Sequence, residues 1–132
     1  MTDMRIGALA ERARVGVETV RYYQRIGLMP TPDKPLGGSR RYHRQHLDRL
    51  LFIRRAQALG FSLEDIRQLI ALGEEHCQDV AALAAAKLNE VRRKIAALRN
   101  MEQSLSQTIS RCSSNPDSQH CPIIHSLAGS DD

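Results

Sequence analysis

The feature that most constrains the fold is the stretch from Cys77 to Cys112, which contains neither Pro nor Gly. It is rich in Ala, Leu, Lys, Arg, Glu and Gln, the residues with the highest helix propensity. Its apolar residues recur at the spacing of one helix face: Ala84, Leu88, Val91, Ile95 and Leu98, then, after a slip of one residue, Met101, Leu105 and Ile109. The stretch far exceeds the usual helix length of roughly 11 residues, and a monomer would leave its apolar face in water. The pattern therefore predicts a long helix that forms a coiled coil with a partner.

Two cysteines mark the ends of this predicted helix. At a rise of about 1.5 Å per residue, Cys77 and Cys112 lie about 50 Å apart, whereas a metal–thiolate bond is only about 2.3 Å long. In an antiparallel homodimer, Cys77 of one protomer instead faces the partner's Cys112. Cys121 follows after a short loop and can reach the same point. The spacing therefore predicts two three-thiolate metal sites per dimer, each built from both protomers.

Charge is divided unevenly along the chain. Residues 1–57 carry 12 Lys and Arg against 5 Asp and Glu, whereas residues 58–132 carry 7 against 10. A basic N-terminal part predicts a polyanionic partner for that part alone, although a solvated basic face fits the same count. The N-terminus lacks the apolar core of a signal peptide, and no run is long enough to cross a membrane. A cytoplasmic protein without a membrane partner is expected, and its cysteines are not expected to form a disulfide framework.

The N-terminal part predicts a winged helix-turn-helix. Two short helices are expected around the turn Ala13–Val17, which carries a Gly, and the second helix is rich in Arg and Tyr. Three prolines and Gly37-Gly38 then predict a two-stranded wing, whose return strand is Ser39–Tyr42. Its arginine pair suits phosphate oxygens, because each planar guanidinium can donate two hydrogen bonds.

Two further helices complete this head. The third is expected from about Arg44 to Leu59, and the fourth begins at a capping box at Ser62 and ends at Gly73. Five residues of the third helix are expected inside: Leu47, Leu50, Leu51, Ile53 and Ala58. The chain is thus predicted to be mainly α, with a DNA-binding head at 1–73. A linker and dimerisation helix follow at 74–111, and a metal-binding loop and tail at 112–132.

These residues together resemble the MerR family of transcriptional regulators over nearly the whole chain. The head carries the resemblance in Ile6-Gly7, Leu9-Ala10, Glu18–Tyr23, Gly27-Leu28, Arg41-Tyr42 and Ala58–Leu63. Pro32–Pro35, His76-Cys77 and Cys121–Ile124 are similar to the mercury-responsive branch in particular. The resemblance implies a dimer that binds promoter DNA and, once a metal is bound, distorts that DNA so that RNA polymerase can open it.

The resemblance also assigns residue roles. It implies that Thr19, Arg21 and Tyr22 contact DNA from the recognition helix. It implies wing contacts, mainly to phosphate, for Arg40, Arg41 and Tyr42. Tyr23 is expected to lie partly in the core, and Arg54 is open to either a DNA-backbone or a plain surface role.

The sequence specifies the identity of the metal ion less closely than it specifies the ligands of the site. Thiolates select soft or borderline ions, so Hg(II), Cd(II), Pb(II) and Zn(II) all remain open from chemistry alone. Structural zinc normally takes four ligands, and His76 or His120 could add a fourth, whereas three sulfurs suffice for Hg(II). This donor count and the residues shared with the mercury-responsive branch favour Hg(II).

Other classes of function fit the sequence less well. A sensor of an organic effector would need an effector domain, for which too few residues follow the coil. A thiol enzyme or metal-transfer protein would need a base and a pocket that the pattern does not supply, so no enzyme is expected. A redox sensor that uses the same cysteines is a further alternative.

Overall fold

The computed structural model describes residues 3–116 and 120–129, and within them the protein is mainly α-helical. The helices are α1 (Ile6–Ala13), α2 (Val17–Arg25), α3 (Arg44–Ala58), α4 (Leu63–Leu72), α5 (Cys77–Ser113) and α6 (Pro122–Leu127). Their contacts divide the chain into two compact units that meet in sequence at Ala84 and Ala85, inside α5. The predicted mainly α fold class is confirmed. None of the helices in the described ranges combines the length and the apolar character that a membrane span requires.

The first unit is held together by α1, α2, α3 and α4, of which α3 packs against both α1 and α4. Its core consists of fully buried apolar side chains from all four helices, including Leu9, Val20, Leu50, Ile53 and Ile66. Ala58, expected inside, is exposed, and Ala56 takes the buried position instead. The two residues lie about 200° apart around a helix, so only one of them can face the core.

The turn between α1 and α2 is made differently from the expectation. The left-handed residue is Arg14, with φ 59° and ψ 45°, whereas Gly16 is extended and precedes α2 as its N-cap. The amide of Val15 donates to the carbonyl of Ala10, which closes the end of α1. The glycine predicted to make the turn therefore does not supply its positive φ.

Three arginines of α3 and α4 bond the carbonyls near the ends of the first two helices. Arg54 donates to the carbonyl of Ala13 at 2.8 Å, Arg49 to Leu28 at 2.9 Å, and Arg67 to Ile26. Carbonyls at a helix C-terminus lack intrahelical partners, so Arg54 and Arg67 satisfy acceptors that α1 and α2 leave open, and Arg49 holds the segment that follows α2. This gives Arg54 a structural role within the head.

The wing is a loop. In the described chain, residues 28–42 contain no pair of strands, contrary to the prediction. Ser39–Tyr42 therefore does not form the return strand of a two-stranded wing. Tyr42 instead forms an isolated antiparallel bridge with Met4, in which each amide donates to the other carbonyl, at 2.9 and 2.7 Å. The loop is braced by a hydrogen bond from Arg40 Nε to the carbonyl of Pro32 at 3.0 Å.

The capping box predicted at the start of α4 is confirmed. Ser62 Oγ accepts from the amide of Asp65 at 3.1 Å, and the Asp65 carboxylate accepts from the amide of Ser62 at 3.0 Å. The predicted long helix is also confirmed, as the 37-residue α5. None of its residues is buried, and its apolar side chains are exposed at Leu88, Ile95, Leu98, Met101, Leu105 and Ile109.

Candidate functional site

A strongly basic groove lies in the first unit, between the N-terminal segment, α1, α2 and the wing loop. It is lined by seven cationic side chains: Arg5, Arg12, Arg21, Arg25, Lys34, Arg40 and Arg41. Asp3 is the single carboxylate among the described residues that line it, and its Oδ1 lies 2.9 Å from Nδ1 of His43. The cations clustered in this basic groove attract a polyanion such as a nucleic acid.

The structure places some of the predicted DNA contacts in the basic groove and others beside it. Arg21, Arg40 and Arg41 line it. Tyr22 is 42% exposed on α2, where the guanidinium of Arg25 lies 5.6 Å from the centre of its ring. Thr19 is half-buried on the same helix. A helix that presents a hydroxyl, a guanidinium and a phenol to solvent has the side chains that read base edges and phosphates.

Tyr42 lines the floor of the basic groove but is almost completely buried. Its ring is 2% exposed and packs edge-on against His46, and its hydroxyl accepts a hydrogen bond from Gln24 Nε2 at 2.9 Å. The DNA contact assigned to Tyr42 therefore stays a prediction, and the burial and the internal hydrogen bond of this residue favour a structural role in the head. Tyr23, expected to be partly core, is 5% exposed and donates to Gln57.

Sequence reasoning missed four cations of the basic groove: Arg5, Arg12, Arg25 and Lys34. They come from four separate segments and share no spacing that a motif would reveal. The only signal that could have indicated them is the excess of Lys and Arg over residues 1–57. That excess shows that the segment is basic but does not show which cations lie together on the surface.

A thiol pair occupies the second unit. Cys112 lies in the last turn of α5, and Cys121 immediately precedes α6, so the loop between the helices brings the two together. Their sulfur atoms are 3.5 Å apart. The side-chain amide of Asn115 donates to the carbonyl of His120 at 2.8 Å, which fastens the two sides of the loop. The structure therefore supplies two of the three predicted metal ligands as a ready pair.

The pKa of Cys121 is lowered from its usual value of 9.0. The largest cause is a hydrogen bond from the backbone amide of Ile124, followed by one from the Cys112 side chain and one from the amide of Ile123. These donors stabilise the thiolate, which is the form that binds metal and the form that reacts as a nucleophile.

The third cysteine lies elsewhere in the fold. Cys77 is the exposed first residue of α5 and borders an apolar groove that includes Phe61, Leu69 and Val80. Its neighbour His76 donates from Nδ1 to the carbonyl of Leu72 at 2.7 Å, which leaves Nε2 as the ring's remaining acceptor. Within the described part of one protomer, no three His, Cys, Asp or Glu side chains converge to hold a metal ion.

Comparison with known proteins decides the family. Residues 4–72 match the family described as MerR HTH family regulatory protein, and residues 47–108 match the family described as MerR, DNA binding. The mercuric resistance operon regulatory protein of Serratia marcescens is 43% identical over 98% of this chain and 90% of its own length. The chain belongs to the MerR family. Since MerR proteins are DNA-binding transcriptional regulators, this membership confirms both the resemblance and the expectation that the chain is not an enzyme.

Other similar proteins include a further regulator and two solved structures that hold different metals. The regulator ZntR of Escherichia coli K12 is 39% identical over 93% of this chain and 91% of its own. The structure of PbrR691 from Ralstonia metallidurans CH34 in complex with lead(II) superposes with a TM-score of 0.79 and 42% identity, over 94% of this chain and 98% of its own. That of MerR from Bacillus megaterium MB1 in complex with mercury(II) gives a TM-score of 0.72 and 38% identity, over 95% and 99%. The chain is a MerR regulator of the metal-responsive kind.

Proposed function

We propose that this protein is the mercury(II)-responsive regulator of a mercuric resistance operon, which represses and activates its promoter according to metal occupancy. The observation that carries the proposal is the thiol pair of Cys112 and Cys121, 3.5 Å apart, in a chain 43% identical to mercuric resistance regulators. Within the described residues of one protomer no third ligand joins these two soft donors, which is the arrangement that a site shared between two protomers requires.

The third ligand of each site is the partner's Cys77. The exposed apolar face of α5 supports the antiparallel dimer that brings Cys77 to the thiol pair. The apolar face of α5 is uncovered, with Leu98 62% exposed and Leu105 63% exposed, and an antiparallel copy of the same helix would bury it. That arrangement places the start of one α5 beside the end of the other, so each site takes two sulfurs from one protomer and one from its partner.

The chemistry of the thiol pair fits a soft cation. Two thiolates on one ion with bonds of about 2.3 Å lie about 3.8 to 4.0 Å apart, for tetrahedral to trigonal angles. The two sulfurs are thus within about half an ångström of a coordinating separation before any ion arrives. Three thiolates satisfy Hg(II), whereas structural zinc would need a fourth ligand, for which Nε2 of His76 is one candidate.

The basic groove and the exposed face of α2 form the DNA-binding surface. Arg21, Tyr22 and Thr19 approach the bases and phosphates from α2, while Arg40 and Arg41 hold the backbone beside the wing loop. Metal binding at the dimer then favours a distorted promoter that RNA polymerase can open. In this mode of recognition, the binding free energy depends on the cost of deforming the DNA as well as on contacts to the bases.

Single cysteine variants test the metal site. Cys77→Ala, Cys112→Ala and Cys121→Ala should each abolish induction of the promoter by Hg(II) in vitro while operator binding, measured by gel shift, stays intact. Loss of operator binding in all three variants would indicate structural zinc and contradict the proposal.

A mixed dimer tests the sharing of ligands between protomers. When one protomer carries Cys77→Ala and the other Cys112→Ala, one site loses two ligands and the other keeps all three. Equilibrium binding should therefore give one Hg(II) per mixed dimer. A mixed dimer that binds no metal would show that each site is built within one protomer.

A regulator of lead, zinc or cadmium is the second candidate function. It is favoured by the 42% identity to PbrR691, whose structure holds lead(II), and by the 39% identity to ZntR. Promoter output in vitro, titrated with Hg(II), Cd(II), Pb(II) and Zn(II), separates the candidates. Mercury should act at the lowest free concentration, and half-activation by lead or zinc below that of mercury would replace the proposal with this second one.

A further inference from the structure

The two sulfur atoms of the thiol pair are in contact, close enough for a disulfide bond to form between them after a small approach. A disulfide bond is about 2.05 Å long, so sulfurs 3.5 Å apart need to approach by about 1.5 Å. Cys121 is exposed and Cys112 is half-buried, so an oxidant can reach the pair from solvent. Within the described residues of one protomer this is the single contact between two thiols, so the structure favours one pairing among the three that three cysteines allow.

We propose that Cys112 and Cys121 form a reversible disulfide within one protomer, and that this oxidation switches off metal sensing. The oxidant is a low-molecular-weight disulfide of the glutathione type. The loss of sensing rests on the proposed function, because it follows from the removal of two of three metal ligands, whereas formation of the disulfide does not depend on it.

The reaction proceeds by two thiol–disulfide exchanges. The thiolate of Cys121 attacks one sulfur of glutathione disulfide, forming a mixed disulfide and releasing one glutathione thiolate. The thiolate of Cys112 then attacks the sulfur of Cys121 and releases the second glutathione. The protein loses two electrons and two thiol protons, and both protons end on the two reduced glutathiones. The second step is intramolecular between neighbouring sulfurs, so the mixed disulfide is short-lived.

Metal binding and oxidation exclude each other at this pair. A bound cation holds both thiolates as ligands, so neither is free to attack a disulfide. Conversely, a disulfide offers the cation no thiolate from Cys112 or Cys121. The same two sulfurs therefore couple the response of the regulator to the thiol redox state of its surroundings.

The pairing can be tested by peptide mapping, because the sequence separates the cysteines well. No Lys or Arg follows Arg111, so trypsin releases Cys112 and Cys121 together in the peptide 112–132, while Cys77 falls in 68–87. The reduced, metal-free full-length protein is incubated with glutathione disulfide, the free thiols are alkylated, and the digest is analysed by mass spectrometry. The peptide 112–132 should be about 2 Da lighter than its reduced form and carry no alkyl group, with Cys77 alkylated. A cross-link between 68–87 and 112–132, or a pair of stable glutathione adducts, would overturn the proposal.

Two variants and one metal complete the test. Cys77→Ser should form the disulfide as fast as the wild type, whereas Cys112→Ser should stop at the glutathione adduct of Cys121. Cd(II), followed by its thiolate charge-transfer band, should bind the reduced protein, slow oxidation by glutathione disulfide at least tenfold, and lose its band once the disulfide forms. Dithiothreitol should restore the band. If the disulfide forms in a protein that, when reduced, binds neither Cd(II) nor Hg(II), the metal function alone is refuted. If the reduced protein binds metal but the disulfide does not form, the disulfide alone is refuted.

Discussion

Tyr42 joins three segments of the head. Its backbone pairs with Met4, its ring packs against His46 with centroids 5.3 Å apart, and its hydroxyl accepts from Gln24 on α2. Tyr42→Phe removes the acceptor for a part-buried amide and should lower the free energy of unfolding by about 1 kcal/mol, measured by urea denaturation. Operator affinity should change by less than about twofold, because the residue is 2% exposed and its hydroxyl is already bonded to Gln24.

Tyr22→Phe is the matched control, since it removes the same hydroxyl from an exposed ring on the recognition helix. Its stability should change by less than about 0.5 kcal/mol, while its operator affinity falls. If Tyr42→Phe weakened operator binding as much as Tyr22→Phe at unchanged stability, the buried position of Tyr42 would be contradicted.

Single residues are also where prediction from sequence was weakest. Nothing local shows that Tyr42 pairs with Met4, because the partner lies far away in the chain and the bridge is isolated. Arg14 was missed for another reason: a non-Gly residue with positive φ is uncommon, so the nearby Gly16 looked like the turn residue. Cys121 was predicted correctly beside Cys112, because a short loop leaves little freedom in where the chain can return.

At the scale of elements, α3 begins with a capping box made of two histidines. The amide of His43 donates to Nδ1 of His46 at 2.9 Å, so His46 must be neutral at this nitrogen. Burial lowers the pKa of His46 below its usual 6.5, and the neighbouring His43 lowers it further. The other groups near this end are Asp3, which bonds His43, and the ring of Tyr42.

This capping box predicts a loss of stability in acid. Because the pKa of His46 is lower in the folded state, the unfolded chain binds more protons, so stability is full above about 6.5 and falls as the pH drops below it. His46→Gln keeps an acceptor at this position without a titrating group. Urea unfolding at pH 7.5 and 5.5 should show a smaller drop for His46→Gln than for the wild type. Equal drops would show that His46 does not contribute.

Helix α5 was the element most securely predicted, because two independent features indicate the same helix. The stretch lacks Pro and Gly, and its apolar residues recur at helical spacing. Its exposed apolar face predicts the dimer. Leu98→Lys places a charge on that face with little change in helix propensity and should shift the protein toward monomer at micromolar concentration in analytical ultracentrifugation. Asn100→Lys adds the same charge off this face and should remain dimeric. A dimeric Leu98→Lys variant would show that the apolar face is not the interface.

At the scale of the whole molecule, the positive charge and the thiol pair lie in different parts of the chain. The seven cations of the basic groove lie in the first unit, whereas the thiol pair lies in the second. The sequence revealed the charge excess but not the groove, because the cations converge only when α1, α2, the wing loop and the N-terminal segment pack together. Substitutions in the groove should therefore change DNA affinity without changing metal affinity.

The salt dependence of operator binding tests this division quantitatively. Each phosphate contact contributes about 0.9 to the slope of log affinity against log salt concentration. Arg41→Ala should therefore reduce that slope by about 1.8 for the two protomers of a dimer, measured by fluorescence anisotropy between 50 and 300 mM salt. Arg55→Ala removes the same charge from the apolar groove on α3 and should leave the slope unchanged. Equal slopes for the two variants would mean that net charge of the head, and not the basic groove, attracts the DNA. The Hg(II) affinity of Arg41→Ala should match that of the wild type, because Arg41 lies in the basic groove and belongs neither to the thiol pair nor to the groove that Cys77 borders.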